Sequence, residues 1–285
     1  MGVTNEKNPD VSVVTPSRNM GSYIWRCHNS VADQEGVEVE HIVMDAESND
    51  GTLDWLKKQD GLTWRSEPDA GMYDAVNKGW GLSHGQIRAY LNCDEQYLPG
   101  TLRFVKEYFD RHPEVDVLFG DILVVDPDGC LLSFRKGYQP RMSYILAGHL
   151  YVFSCAMFFR RKILDDGFRF NSRYKTVADA DLVIRLLRNR YSARHVRRYL
   201  SVFTWTGGNL SASGQASEEE AKLLASGPFW VRMLRCAVNG IRLLHKLFSG
   251  AYFQRFPVEY YIYAGQSADR RTRCVARSGS WKWPG

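Results

Sequence analysis

The sequence predicts an α/β fold: a central, mostly parallel sheet flanked by helices, with a helical C-terminal appendage. Three observations carry this. Strand-like and helix-like segments alternate through the first ninety residues. The connections between them are short. The strand-like segments are β-branched and bounded by turn-forming residues, the pattern of successive βαβ units. The chain has 285 residues, 44% hydrophobic and 24% charged, enough to bury a real core and unlike a disordered or collagen-like chain.

Val11 to Thr15 is the first strand, stopped by Pro16 and followed by the turn formers Asn19 and Gly21. Tyr23 to Gln34 reads as a helix, Val39 to Met44 as a strand closed by Asp45, and Thr52 to Lys58 as a helix. Leu62 to Arg65, Met72 to Leu82 and Ile87 to Leu91 continue as strand, helix, strand. The second half is less regular. Thr101 to Arg111 is expected to be helical, while Val115 to Val125 is too β-rich to be a helix. Asp128-Gly129 turns the chain into Leu131 to Phe134, and Phe153 to Phe159 reads as a strand. Ala178 to Arg190 is helical, with acidic residues in its first turn where the dipole favours them. Ser217 and Glu220 stand at capping-box spacing ahead of Ala221 to Leu224. The expected organisation is a body over residues 1–227 and a basic helical region over 228–285.

Charge divides the chain in the same place. From Pro228 to Gly285 there are 10 Lys and Arg against 2 Asp and Glu, whereas residues 1–227 hold 27 basic and 30 acidic residues. A near-neutral body with a basic tail implies an anionic partner for the tail, or a solvated basic surface. From Trp230 to Phe248, Arg232, Arg235, Asn239, Arg242 and Lys246 recur at helical steps opposite Trp230, Leu234, Ala237, Ile241, Leu244 and Phe248. This amphipathic helix would either lie on an anionic membrane or pack on the body. Arg270-Arg271-Thr272-Arg273 and Trp281-Lys282-Trp283 add charge and interfacial aromatics. Basic residues interleaved with an apolar face, without stacking aromatics, argue against nucleic acid.

Other classes lose their support. The longest apolar run, Leu150 to Phe159, is about half of the ~20 residues a membrane span needs. Met1 to Asp10 is polar and lacks the apolar region of a signal peptide. Cys27, Cys93, Cys130, Cys155, Cys236 and Cys274 show no ligand spacing, so they are expected to be reduced thiols in a cytoplasmic protein. No P-loop, no G-x-G-x-x-G after the first strand and no G-x-S-x-G elbow is present. His41, His84 and His149 are scattered, which argues against a histidine metal site.

In open parallel sheets ligands bind beyond the carboxyl ends of the strands. Asp45, Asp50, Asp69, Asp74, Asp94 and Glu95 fall at those ends. Gathered at one crevice they would repel unless a hard cation offset them, which implies Mg²⁺ or Mn²⁺ completed by substrate phosphates. Each taken alone could equally cap a turn.

Val11-Ser12-Val13-Val14-Thr15-Pro16-Ser17-Arg18-Asn19 and His41-Ile42-Val43-Met44-Asp45-Ala46-Glu47-Ser48-Asn49-Asp50-Gly51-Thr52 resemble the opening of the family 2 glycosyltransferases of GT-A fold. Ser66 to Gly79, Tyr90-Leu91-Asn92-Cys93-Asp94-Glu95 and Ala178 to Leu186 continue the likeness, which covers residues 10 to 211. The resemblance implies inverting transfer from a nucleotide-sugar donor, usually of uridine, to a glycan or lipid-linked acceptor in surface-polysaccharide assembly. It implies that Thr15, Pro16 and Arg18 line the base and ribose and that Asp45 reads the uracil. Asp74 and Lys78 would bind donor, or form an ordinary helical ion pair. Asn92-Cys93-Asp94 stands at the family's Asp-x-Asp position, so Asp94 and Glu95 are the expected metal ligands and Asn92 faces the ribose. Two departures stand out: Asn92 replaces the first Asp, and Glu95 replaces a second Asp of many relatives. No histidine follows near residue 205. Trp205-Thr206-Gly207-Gly208-Asn209-Leu210-Ser211 looks like the glycine-rich segment that closes over the diphosphate. Asp179 is the expected general base. Asp181, turned about 200° away on the helix, is expected to be structural or to orient acceptor. An inactive sugar-nucleotide-binding scaffold and a nucleotidyltransferase are the competing readings. The expected location is the cytoplasm, peripheral on the inner face of the cell membrane.

Overall fold

A computed structural model of the chain describes residues 8–207, 214–265 and 270–284. Its first half runs β1 (Val11–Ser17), α1 (Ile24–Ala32), β2 (Val39–Asp45), α2 (Thr52–Leu56), β3 (Thr63–Ser66), α3 (Met72–Leu82) and β4 (Ile87–Tyr90). Then come β5 (Glu95–Tyr97), α4 (Thr101–Arg111), β6 (Val117–Val125), β7 (Leu131–Arg135), α5 (Met142–Ala147) and β8 (Met157–Arg160). The rest is α6 (Arg161–Asp165), α7 (Ala178–Arg188), β9 (Ala193–Thr204), α8 (Gly214–Ala225), α9 (Phe229–Met233), α10 (Arg235–Phe248), β10 (Val258–Ile262) and β11 (Thr272–Ala276).

Nine strands form one sheet in the order β3-β2-β1-β4-β8-β6-β9-β5, with β7 on β6. β1 is parallel to both β2 and β4, and β2 is parallel to β3. Beyond β4 the pairing is mixed: β8 is antiparallel to β4 and β6, while β9 runs parallel to β6 and antiparallel to β5. β1 lies at the centre of the parallel half and is buried on both faces, which is why it reads as an unbroken β-branched run. Val11 and Val13 join a core on the α1 and α4 side, Val14 a core on the α3 and α7 side. α3 comes unusually close to β1. A Cβ at Gly79 would sit 2.5 Å from Val14 Cγ1, so only glycine admits this approach.

The structure departs from the sequence expectations in several places. Phe153 to Ala156 is not strand: Ser154–Ala156 is a 3₁₀ turn leading into β8, because a short apolar run does not distinguish a strand from another buried segment. Ser217 is not a helix cap, since α8 already starts at Gly214. The basic helix is two helices, broken at Leu234, whose ψ of 18° leaves the helical region. The tail also holds an antiparallel pair, β10 with β11, that the charge reading passed over. Val258, Tyr260 and Ile262 of β10 pack on Leu98, Leu123 and Val202 of the body. Arg271, expected to add surface charge, is instead ion-paired to Asp33 at 2.6 Å, and Arg273 pairs with Glu259 at 2.7 Å. Trp283 packs on Phe203 and Trp205 rather than facing solvent as an interfacial aromatic. Residues 208–211 of the glycine-rich segment lie outside the described residues.

Candidate active site

The strand order reverses at β1 and β4: β2 and β3 lie on one side of β1, β4 and the later strands on the other. The two loops leaving β1 and β4 diverge there and open a cavity of about 500 Å³. β1 delivers Pro16, Ser17 and Arg18 to its wall, and β4 delivers Asn92, Cys93 and Asp94, with Glu95 opening β5. The first turn of α3 adds Tyr73, and the first turn of α7 adds Asp179.

Asp179 is half-buried at the positive end of α7 and accepts the Ala180 N–H at 2.8 Å. Withdrawal from water raises its carboxyl to about 6, against hydrogen bonds from Ala180 and the Tyr73 hydroxyl that favour the ionised form. The turn before it is clamped from α8. The Glu219 carboxylate accepts the Lys175 and Thr176 N–H groups at 2.9 Å and the Thr176 hydroxyl at 2.8 Å. Those backbone contacts hold Glu219 below its ordinary range despite partial burial. The Lys175 ammonium crosses to the Ala70 carbonyl. Gly71, at φ +116°, lets the chain turn beneath it in a conformation that other residues rarely adopt.

On the opposite wall, Glu95 is fully buried and its Oε2 accepts the Asn92 N–H at 2.7 Å. Burial, and then the neighbouring Asp94, push its carboxyl upward. Asn92 Oδ1 is buried without a partner. Among the described residues no three His, Cys, Asp or Glu side chains form a metal cage. Two adjacent carboxylates beside an unpartnered amide oxygen are nevertheless the donors that suit a hard divalent ion, which takes few protein ligands and fills its shell with water and phosphate.

The cavity thus brings together Pro16, Arg18, Asn92, Asp94, Glu95 and Asp179 of the residues expected from sequence. Five others lie outside its lining, each for a visible reason. Thr15 points into the core and pairs with His41 Nε2 at 2.9 Å; burial and neighbouring His28 lower the His41 ring to about 3. Asp45 is buried and turned to its own loops, accepting the Ser48 N–H at 2.9 Å and the Ser66 hydroxyl at 2.9 Å. Asp74 and Lys78 form an i,i+4 ion pair at 3.4 Å outside the cavity, and Lys78 also reaches Glu67 at 3.2 Å. Asp181 is paired with Arg185 at 2.8 Å. The expected ring of six carboxylates is likewise smaller. Asp50 accepts the Thr52 hydroxyl and the Gly21 N–H, so it organises loops. Asp69, Asp94 and Glu95 remain at the cavity, and Asp179 joins them from α7. Lys175, Thr176 and Ser154 also line it; Lys175 and Thr176 lie in irregular chain where no periodicity or motif marks them, and Ser154 opens the 3₁₀ turn before β8.

The family profile described as Glycosyl transferase family 2 matches residues 12–168. A PGL/p-HBAD biosynthesis glycosyltransferase of Mycobacterium bovis (strain BCG / Pasteur 1173P2) is 28% identical over 200 residues, 68% of this chain and 75% of that protein. The chondroitin synthase of Pasteurella multocida (strain Pm70) is 27% identical over 189 residues, 62% of this chain but 19% of that protein. Among solved structures, S. aureus TarS 1–349 in complex with UDP superposes with TM-score 0.59 at 22% identity, over 84% of this chain and 72% of that one. The mannosyltransferase PcManGT from Pyrobaculum calidifontis, in complex with GDP-Man and Mn²⁺, gives 0.54 at 15% identity, over 88% and 77%. These structural likenesses concern the GT-A fold. With its sheet, its switch-point cavity and the match over residues 12–168 taken together, the chain belongs to glycosyl transferase family 2.

Proposed function

We propose that the chain transfers a sugar, with inversion, from a uridine diphosphate donor to a hydroxyl of a glycan or lipid-linked acceptor. One observation carries this reading: Asp179, a carboxyl raised to about 6, lines the same switch-point cavity as Asp94 and Glu95. An acceptor hydroxyl is a weak nucleophile, and a carboxylate within hydrogen-bond reach increases its reactivity by taking its proton. Asp179 is placed for that, ionised at neutral pH yet close enough to it in pKa to accept a proton. Tyr73 and the Ala180 N–H hold its orientation.

Arg18, Pro16 and Asn92 are the donor-facing residues in this reading, while Asp45 orders the loop after β2 and Thr15 ties β1 to β2. Asp94 and Glu95 would hold Mn²⁺ or Mg²⁺, which supplies neutralisation of the diphosphate charge. The TarS complexes with UDP and with UDP-GlcNAc support a nucleotide-sugar donor, and the PcManGT complex with Mn²⁺ supports a divalent ion. The names of the mycobacterial and Pasteurella relatives support glycolipid or polysaccharide assembly. A lipid-linked acceptor would place the chain at the inner face of the cell membrane. Among the described residues no helix is long and apolar enough to cross a membrane.

Thermal denaturation across a panel of nucleotide sugars with Mn²⁺ or Mg²⁺ tests this, since a donor that binds the native state raises its melting temperature. A UDP-sugar should do so only with the metal. Stabilisation by no nucleotide sugar would remove the reading.

A further inference from the structure

α9 and α10 are mounted inside out. A surface helix normally turns its apolar stripe to the core. Here the polar and basic edge faces inward: Arg235 Nε and Asn239 Nδ2 donate to the Ala147 carbonyl at the end of α5, at 2.9 and 2.6 Å. Arg242 binds Asn239 at 3.0 Å, and Lys246 lies 4.4 Å over the Tyr252 ring. Val231 and Val238 are the buried apolar residues of these two helices. The opposite face is left in water. Phe229 is 74% exposed, Met233 68% and Phe248 84%, with Trp230, Ile241 and Leu244 each more than half exposed. The break at Leu234 separates α9 from α10 and leaves both exposed apolar faces in water. A solvent-facing apolar patch of this extent, on helices held firmly from behind, marks a surface that another phase or molecule covers.

Charge indicates which. Residues 229–255 contain Arg232, Arg235, Arg242, Lys246 and Arg255 and no Asp or Glu. Arg232 and Arg255 are exposed beside the apolar face. The patch also runs into a second cavity of about 630 Å³, walled by Leu146, Leu224, Phe229 and Met233 and rimmed by Arg232, Arg235 and Glu220. Apolar side chains beside the exposed Arg232 suit an acyl chain and an anionic headgroup. The inward guanidinium groups are spent on the helix seat, whereas the outer ones remain for lipid. In the other basic cluster Arg271 pairs with Asp33 and Arg273 with Glu259.

We infer that the outward face of α9 and α10 docks on an anionic lipid bilayer, inserting Phe229, Trp230, Met233, Ile241, Leu244 and Phe248 into the headgroup region. The inference rests on the proposed membrane-surface setting of the acceptor, but not on the sugar chemistry. Because α10 seats on α5 and α5 packs on α7, the docked face is mechanically continuous with the helix that carries Asp179.

The test is sedimentation of the full chain with vesicles of phosphatidylcholine alone and of phosphatidylcholine with phosphatidylglycerol. Wild type should pellet with the anionic vesicles, and less as salt rises. The triple substitution Ile241→Ser, Leu244→Ser, Phe248→Ser should reduce partitioning at least about tenfold, given roughly 0.8 kcal/mol for each buried methylene. The pair Arg232→Glu, Arg255→Glu should abolish the preference for anionic vesicles. Both variants should keep the wild-type melting temperature and its response to nucleotides, because these side chains face solvent; loss of that response in wild type would count against the donor site, not the docking face. Equal partitioning of wild type and the triple variant would overturn the inference. So would a wild-type dimer, dissociated by the triple variant, that ignores vesicles: the face would then be a protein interface.

Discussion

Asp179 must stay ionised while partly withdrawn from water, and that tension has measurable consequences. Its carboxyl titrates at about 6 in the folded chain against 3.8 as its ordinary value. The folded state therefore holds the proton more tightly, and the ionised group costs stability that is fully felt above pH 6. Asp179→Asn should accordingly melt higher than wild type at pH 8. The advantage should shrink as pH falls from 6 towards 4 and vanish below that; a melting difference independent of pH would contradict the burial argument. Asp94 makes the opposite demand. As the proposed metal ligand it would need a cation, not a proton, so Asp94→Ala should lose the stabilisation that a UDP-sugar gains from Mn²⁺ while folding normally. Titration calorimetry with and without chelator measures this, and equal donor affinity in both would remove Asp94 as a ligand.

At the scale of elements, two contacts set the site. α3 reaches β1 only through Gly79, whose added Cβ would meet Val14 at 2.5 Å and Met44 at 3.1 Å. Gly79→Ala should destabilise the chain by about 1–3 kcal/mol in a urea melt, the usual cost of overpacking. α8 holds the turn ahead of α7 through Glu219. Glu219→Ala should lower kcat roughly 10- to 100-fold through misplacement of Asp179. The KM for donor should move little, because the donor-facing residues sit on β1 and β4; a change in KM alone would make Glu219 a binding residue. The bounds of α3 and α4 are legible from sequence because helical periodicity runs the full length of each, Met72–Leu82 and Thr101–Arg111. The Asn92 to Glu95 and Asp179 positions are legible from motif spacing. Thr15 and Asp45 are not, because a polar residue at a strand end serves a ligand or its own loop with the same composition, and only coordinates show their His and Ser partners. β10 shows its alternation of buried Val258, Tyr260 and Ile262, yet its partner strand lies ten residues on and is mostly exposed, so periodicity alone does not pair them.

Across the whole molecule, the tail is tied to the body at several points. β10 covers Leu98, Leu123 and Val202, the Tyr263 hydroxyl reaches Asp33 at 2.8 Å, and α10 rests on the end of α5. Burial of Val258, Tyr260 and Ile262 stabilises by about 1.5–3 kcal/mol for each side chain. Truncation after Gly227 should therefore lower stability by several kcal/mol in denaturant melts, and an unchanged midpoint would show that the tail adds nothing to the fold. The helices face outward while the hairpin faces inward, so the surface substitutions on α10 separate attachment from folding where a deletion does not.

The proposed reaction is a sugar leaving its nucleotide at the β1 and β4 switch point with Asp179 as the base. Release of UDP from the UDP-sugar that stabilises the protein, followed against pH in wild type and Asp179→Asn, measures this directly. Wild-type turnover should fall as pH drops through about 6, and the variant should bind donor with similar affinity but turn over roughly 10²- to 10⁴-fold more slowly, without that acid limb. Equal turnover in the two proteins, or the same acid limb in both, would contradict it.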